Sequence, residues 1–201
     1  MTDGLWPRPA RPDRLAGDPD RVAYLIPGHG YSAERPLLHF AQAVFMRHGW
    51  TTENVWWTEP PPQRDGLDFP AWFARLRSFA IAQVSPILQA ETAPRIALVG
   101  KSLGTLTAAL AADRGLPGVW LTPVLRDSEL GADLRRCTAP YLLVGSNADR
   151  SWDGDLARAL GGPVHEADGA DHGLETADDP VNSAEILRRT TIAMDEFVAS
   201  L

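Results

Sequence analysis

Short runs of uninterrupted apolar residues, each followed by a helical stripe, recur along this chain and leave few folds open to it. The runs are Val22-Ala23-Tyr24-Leu25-Ile26, Ile96-Ala97-Leu98-Val99, Val119-Trp120-Leu121 and Tyr141-Leu142-Leu143-Val144. A strand that is apolar on successive residues has to be covered on both faces. The segments between supply the cover. Leu37, Phe40, Ala41, Val44 and Phe45 share a helical face between Pro36 and His48, and Phe69, Trp72, Phe73, Leu76, Phe79 and Ala80 form a second stripe. Further helices are expected from Leu103 to about Asp113, over Ser128–Arg136, over Leu156–Leu160 and from about Val181, the last with Ile186, Leu187, Met194 and Phe197 turned inward. Weaker strand patterns lie near Thr51–Trp57 and over Val164–Ala167. This alternation predicts a three-layer α/β/α sandwich on a mostly parallel sheet of about six strands. Residues 1–20, rich in Pro and Arg, read as a flexible arm, and residues 21–201 as one domain without internal repeat or linker.

Composition narrows the partners. With 201 residues, 44% of them hydrophobic, the chain can bury one good core. Its 26 acidic and 19 basic residues give a net charge of −7, which argues against nucleic acid or an anionic membrane surface as the main partner. No apolar run approaches the roughly 20 residues of a membrane span. The lone Cys137 cannot form an intrachain disulfide, and Met1–Gly17 has no apolar signal core, so a cytoplasmic monomer or homodimer is expected. The basic residues are lopsided: eighteen Arg and a single Lys, Lys101.

That lysine sits inside Gly100-Lys101-Ser102-Leu103-Gly104, a G-x-S-x-G sequence. The motif alone is common, but here it stands where an apolar strand ends and an amphipathic helix begins, the context of a nucleophile elbow. Such a turn forces the Ser into a strained backbone, and side chains two residues to either side would clash, which calls for glycine. Gly100-Lys101-Ser102 also matches the tail of a phosphate-binding P-loop. That motif requires a glycine where this chain has Arg95, and a loop where Ile96–Val99 run straight into Gly100. A phosphate would find no ring of backbone N–H groups there.

A serine hydroxyl needs an imidazole to take its proton and a carboxylate to hold that imidazole. Of the five His, His39 and His48 belong to the first helix and His165 to a strand pattern. His29 falls in the loop after the first core strand, where it is expected to brace that loop. His172, in Gly169-Ala170-Asp171-His172-Gly173 between the last strand and the last helix, is the expected base. The expected acid is Asp149, in the loop after Tyr141–Val144, with Asp153 and Asp127 as alternatives and Asp168 and Asp171 as turn residues. Backbone N–H groups of Leu103 and Tyr31 are the expected oxyanion donors. His29, Tyr31, Trp56, Trp57, Val124, Leu125 and Trp152 fall on loops where a pocket would form, although the two adjacent tryptophans fit core packing equally well. No metal-ligand spacing and no cofactor motif is present. Lys101 suggests a steric or charge requirement behind the elbow, such as a salt bridge.

Taken in order, the His29-Gly30 loop, the Gly100–Gly104 elbow, Asp149 and His172 resemble the α/β-hydrolase superfamily over residues 21–200. The chain is similar to its small, lidless bacterial members of the esterase or dienelactone-hydrolase kind. The resemblance implies hydrolysis of a small ester or thioester through an acyl-enzyme formed on Ser102. Fewer than twenty residues separate Leu121 from Tyr141, which leaves no room for the cap that many relatives insert there. The same scaffold also carries lyases, acyltransferases and catalytically silent proteins.

Overall fold

A computed structural model describes residues 12–126 and 128–201. Among these residues seven strands form one sheet in the order β1-β3-β2-β4-β5-β6-β7. These are β1 (Arg14–Leu15), β2 (Asp18–Ile26), β3 (Trp50–Asn54), β4 (Arg95–Lys101), β5 (Gly118–Leu121), β6 (Tyr141–Ser146) and β7 (Val164–Ala167). All neighbours pair in parallel except β1, which runs antiparallel to β3.

The helices are α1 (Pro36–Arg47), α2 (Phe69–Ala90), α3 (Ala108–Arg114), α4 (Ser128–Arg136), α5 (Gly154–Ala159) and α6 (Pro180–Ala199). Because strand side chains alternate faces, each apolar run feeds two cores at once. Ala23, Leu25, Ala97, Val99, Val119 and Leu121 pack under α1 and α6. Val22, Tyr24, Ile26, Leu98, Trp120 and Leu143 pack under α2, α3, α4 and α5. This is the expected three-layer sandwich.

Three expectations change in detail. The sheet has seven strands instead of about six, because Arg14–Leu15 adds an edge. Hydropathy does not reveal a two-residue strand held by polar contacts. Asn54 N–H donates to the Asp13 carbonyl at 2.9 Å, and Arg14 pairs with Glu53 at 2.7 Å and Glu91 at 2.9 Å. The arm expected over 1–20 is therefore part of the sheet from residue 13 on, and the boundary at 20/21 falls inside β2. Residues 1–11 lie outside the described part. The helix expected from Leu103 begins instead as a 3₁₀ segment, Ser102–Thr107, and becomes α-helical at Ala108.

Between β5 and β6 the described chain holds only α4, so no cap is inserted there among the described residues. The loops after β2, β4, β5, β6 and β7 all meet at that edge, where ligands bind in folds of this kind.

Candidate active site

The elbow is built from backbone collisions. Ser102 has φ of +51°, a left-handed conformation that costs on the order of 1–3 kcal/mol for a residue with a side chain. A Cβ on Gly100 would lie 2.5 Å from the Gly104 carbonyl oxygen, and a Cβ on Gly104 would lie 2.5 Å from that of Ile26. Neither position tolerates any other residue without moving main chain. The turn is held by β4, which is hydrogen-bonded to β2 and β5 on its two sides. Hydroxyls add to it: Thr105 Oγ1 donates to the Ser102 carbonyl at 2.6 Å and Thr107 Oγ1 to the Gly104 carbonyl at 2.7 Å.

The half-exposed Ser102 side chain meets His172, whose Nε2 lies 2.8 Å from Ser102 Oγ. His172 Nδ1 lies 2.7 Å from Asp149 Oδ2. An ionised carboxylate can only accept, so Nδ1 carries the ring proton and Nε2 is left to accept the Ser102 hydroxyl proton. The Asp149 side chain is 2% exposed. Its burial alone would raise the carboxyl, but the His172 hydrogen bond and the Ser151 N–H at 2.9 Å hold it below the usual carboxylate range. Asp149 thus stays ionised and fixes the tautomer.

The loop carrying His172 is tied down by side chains. Asp171 Oδ1 accepts from Gly173 N–H at 2.7 Å and from Glu175 N–H at 3.1 Å. Leu174, at φ of +59°, plants its side chain in the core under α6. The neighbouring Asp149 loop is laced to it: Ala170 N–H donates to Ser146 Oγ at 3.1 Å, Gly169 N–H to Asn147 Oδ1 at 2.9 Å, and Asn147 Nδ2 to Asp168 Oδ1 at 2.7 Å. These links were not legible in the sequence, although Ser146-Asn147 at a strand end is a recognisable source of loop-bridging groups.

Among the alternative acids, Asp153 caps α5 by accepting the Leu156 N–H at 2.9 Å, and Asp127 lies outside the described residues. The other histidines are elsewhere: His39 is exposed on α1, His48 Nε2 bonds Asp195 at 2.9 Å, and His165 is half-buried in β7.

In the loop after β2, Gly28 N–H donates to the Tyr31 carbonyl at 2.9 Å, and the two residues pair as an isolated antiparallel bridge. Tyr31 hydroxyl accepts the Leu37 N–H at 3.0 Å, satisfying one of the unpaired donors at the start of α1. His29 does not brace this loop. It is exposed and makes no hydrogen bond among the described residues, and Trp57 takes that part by donating Nε1 to the Gly28 carbonyl at 3.3 Å.

The expected pocket wall is mostly core. Trp57, Val124, Leu125 and Trp152 are buried beneath α2 and its neighbours. Trp152 directs its Nε1 to Glu166 at 2.6 Å, and Trp56 directs its own to Asp13 at 2.6 Å. Of that set, His29 is exposed and Tyr31 and Trp56 are partly exposed. Residues after His172 line a different hollow of about 530 Å³, bounded by Leu37, Leu174, Ser183 and Leu187. No group of three or more His, Cys, Asp or Glu side chains is placed to hold a metal ion among the described residues.

No protein-family model and no curated protein sequence matches the chain. Solved structures do. A putative α/β hydrolase of unknown function from Agrobacterium tumefaciens superposes with a TM-score of 0.67 at 15% identity, over 93% of this chain and 90% of that one. An α/β serine hydrolase without lid from Xanthomonas campestris gives 0.60 at 14% identity, over 94% and 85%. A dienelactone hydrolase from Anabaena variabilis gives 0.57 at 14% identity, over 91% and 89%. The fold is that of a small, lidless α/β hydrolase. In this α/β-hydrolase frame Ser102 stands at the strand–helix turn after β4, Asp149 after β6 and His172 after β7. Identities this low describe the fold and leave the chemistry to be argued from the side chains. No helix among the described residues is long and apolar enough to cross a membrane.

Proposed function

We propose that the protein is a serine hydrolase that cleaves a small ester or thioester through an acyl-enzyme on Ser102. The observation that carries this reading is the continuous chain from Ser102 Oγ to His172 Nε2 at 2.8 Å and from His172 Nδ1 to Asp149 Oδ2 at 2.7 Å. It begins at a serine whose backbone is held at φ of +51°.

In this reading Ser102 Oγ attacks the substrate carbonyl while His172 Nε2 takes its proton. Asp149 stabilises the imidazolium so formed without itself becoming protonated. The tetrahedral oxyanion is met by the Leu103 N–H, and by the Tyr31 N–H once the turn at Gly28 admits substrate. His172 then returns the proton to the leaving oxygen or sulfur as the carbon–heteroatom bond breaks. Water, deprotonated by His172, releases the acid and restores Ser102. The absence of a cap between β5 and β6 leaves room for varied leaving groups. The partner is thus a small molecule, and the cytoplasm is its proposed location.

Treatment with a fluorophosphonate, followed by intact mass, tests the reading. One adduct on the wild type and none on Ser102→Ala is expected, together with turnover of short-chain p-nitrophenyl esters by the wild type alone. An unlabelled wild type overturns it, and labelling without ester turnover shifts the assignment to a lyase or acyltransferase on the same scaffold.

A further inference from the structure

Lys101 is buried, 3% exposed, directly before Ser102, in a chain whose other basic residues are all Arg. Among the described residues it forms no salt bridge of the kind the sequence suggested. Its Nζ donates to the main-chain carbonyl of His172 at 2.9 Å and sits 5.0 Å from the centre of the Tyr31 ring. Its stem fills the floor under the β2 loop, so that a Cβ on Gly28 would lie 3.2 Å from Lys101 Cδ. One side chain therefore touches both the loop that presents the imidazole and the loop that presents Tyr31.

We propose that Lys101 is a positioning residue for the reaction at Ser102: its buried ammonium ties the His172 main chain to the Tyr31 turn and places a positive charge on the Asp149 side of the site, without touching substrate. This rests on the serine-hydrolase reading. Stability alone does not explain the residue, because burying an ammonium is unfavourable and an apolar side chain of the same length would fill the space. Its identity has a geometric reason as well. A single carbonyl is the target, and a compact ammonium with three N–H donors leaves fewer of them without a partner in the interior than the wide guanidinium fork with five.

The charged and titratable groups around it are Asp149 from the β6 side, Asp171 and His172 from the β7 side, and Tyr31, with Arg35 beyond its ring, from the β2 side. Burial pushes the ammonium down to about 8, while Asp149 and Asp171 oppose that shift. Above that pH the neutral amine still donates to the His172 carbonyl, but the charge beside Asp149 is gone.

The test compares wild type, Lys101→Met and Lys101→Arg by ester kinetics and by fluorophosphonate labelling rate between pH 6 and 10. Lys101→Met is expected to lose roughly tenfold to a hundredfold in kcat with KM within about twofold, as a small displacement of the base produces. Its melting temperature is expected to equal or exceed that of wild type. The wild-type labelling rate is expected to fall through about pH 8, where Lys101 discharges. Lys101→Arg is expected to recover part of the rate and lose that falling limb. A folded Lys101→Met with wild-type rate and profile overturns the proposal, and if that variant does not fold, a wild-type rate that stays flat up to pH 10 does so. When wild type labels and Lys101→Met labels equally fast, only the lysine's role is lost. A wild type that takes no label removes the serine-hydrolase reading, and the lysine's role with it.

Discussion

The elbow and the histidine loop meet at 2.8 Å but are fixed by opposite means. The elbow is a backbone device: two glycines pressed against carbonyls and a serine at φ of +51°, set between two paired strands. The histidine loop is a side-chain device, held by Asp171, Ser146, Asn147 and Lys101. A steric constraint has no tolerance, so damage to the elbow is paid in fold. Hydrogen bonds give way one at a time, so damage to the loop shows as slower chemistry on an intact protein.

The largest separation of the two should come from Asp149→Asn. The amide cannot enforce the His172 tautomer, and kcat is expected to fall by roughly 10³–10⁴ with little change in melting temperature. A variant that melts early instead would blur the distinction. Gly104→Ala strikes the other side. With its Cβ 2.5 Å from the Ile26 carbonyl oxygen, it should cost about 3 kcal/mol or more in a urea titration, or yield no soluble protein.

The lysine beneath both regions makes a pH-dependent prediction. Its folded value of about 8 lies below the ordinary 10.5, so the unfolded chain binds the proton more tightly between those values. Stability from this group is therefore present above about 10.5 and is lost as pH falls through about 8, a span worth about 3 kcal/mol. Urea midpoints of wild type and Lys101→Met should converge as pH rises from 7 to 10.5; parallel curves would show that the lysine carries no such burden.

Ser146→Ala removes the acceptor for the Ala148 and Ala170 N–H groups in a fully buried position. A loss of about 1–3 kcal/mol is expected, with amide exchange quickened over 168–174 and unchanged at the elbow. Asp153→Ala, which deletes only the α5 cap, should cost about 1 kcal/mol and leave kcat alone. A large rate loss there would reopen the choice of acid.

The same contrast explains what could be read in advance. Gly100, Ser102 and Gly104 announce themselves because a steric rule dictates residue type at fixed spacing, and the apolar strands because two-sided burial writes a continuous run. His172 and Asp149 follow from chain order on such a frame. The lacing by Asn147 and Ser146 leaves no trace of this kind, since many polar residues at loop positions make no such bond. Trp57, Leu125 and Trp152 look alike in sequence whether they face a pocket or a core; the packing under α2 sends them inward. Arg14–Leu15 escapes notice because its pairing rests on Glu53, Glu91 and a backbone edge, not on hydropathy.

The bridges from Ser146 and Asn147 to residues 168–170 have a mechanical consequence. Asp149 and His172 ride on one stitched panel, while Ser102 is mounted at the end of β4. The Asp149–His172 bond therefore lies within this panel, and the orientation of the imidazole does not depend on its contact with Ser102. A molecule that displaced Ser102 Oγ from His172 would leave the ring still held by Asp149.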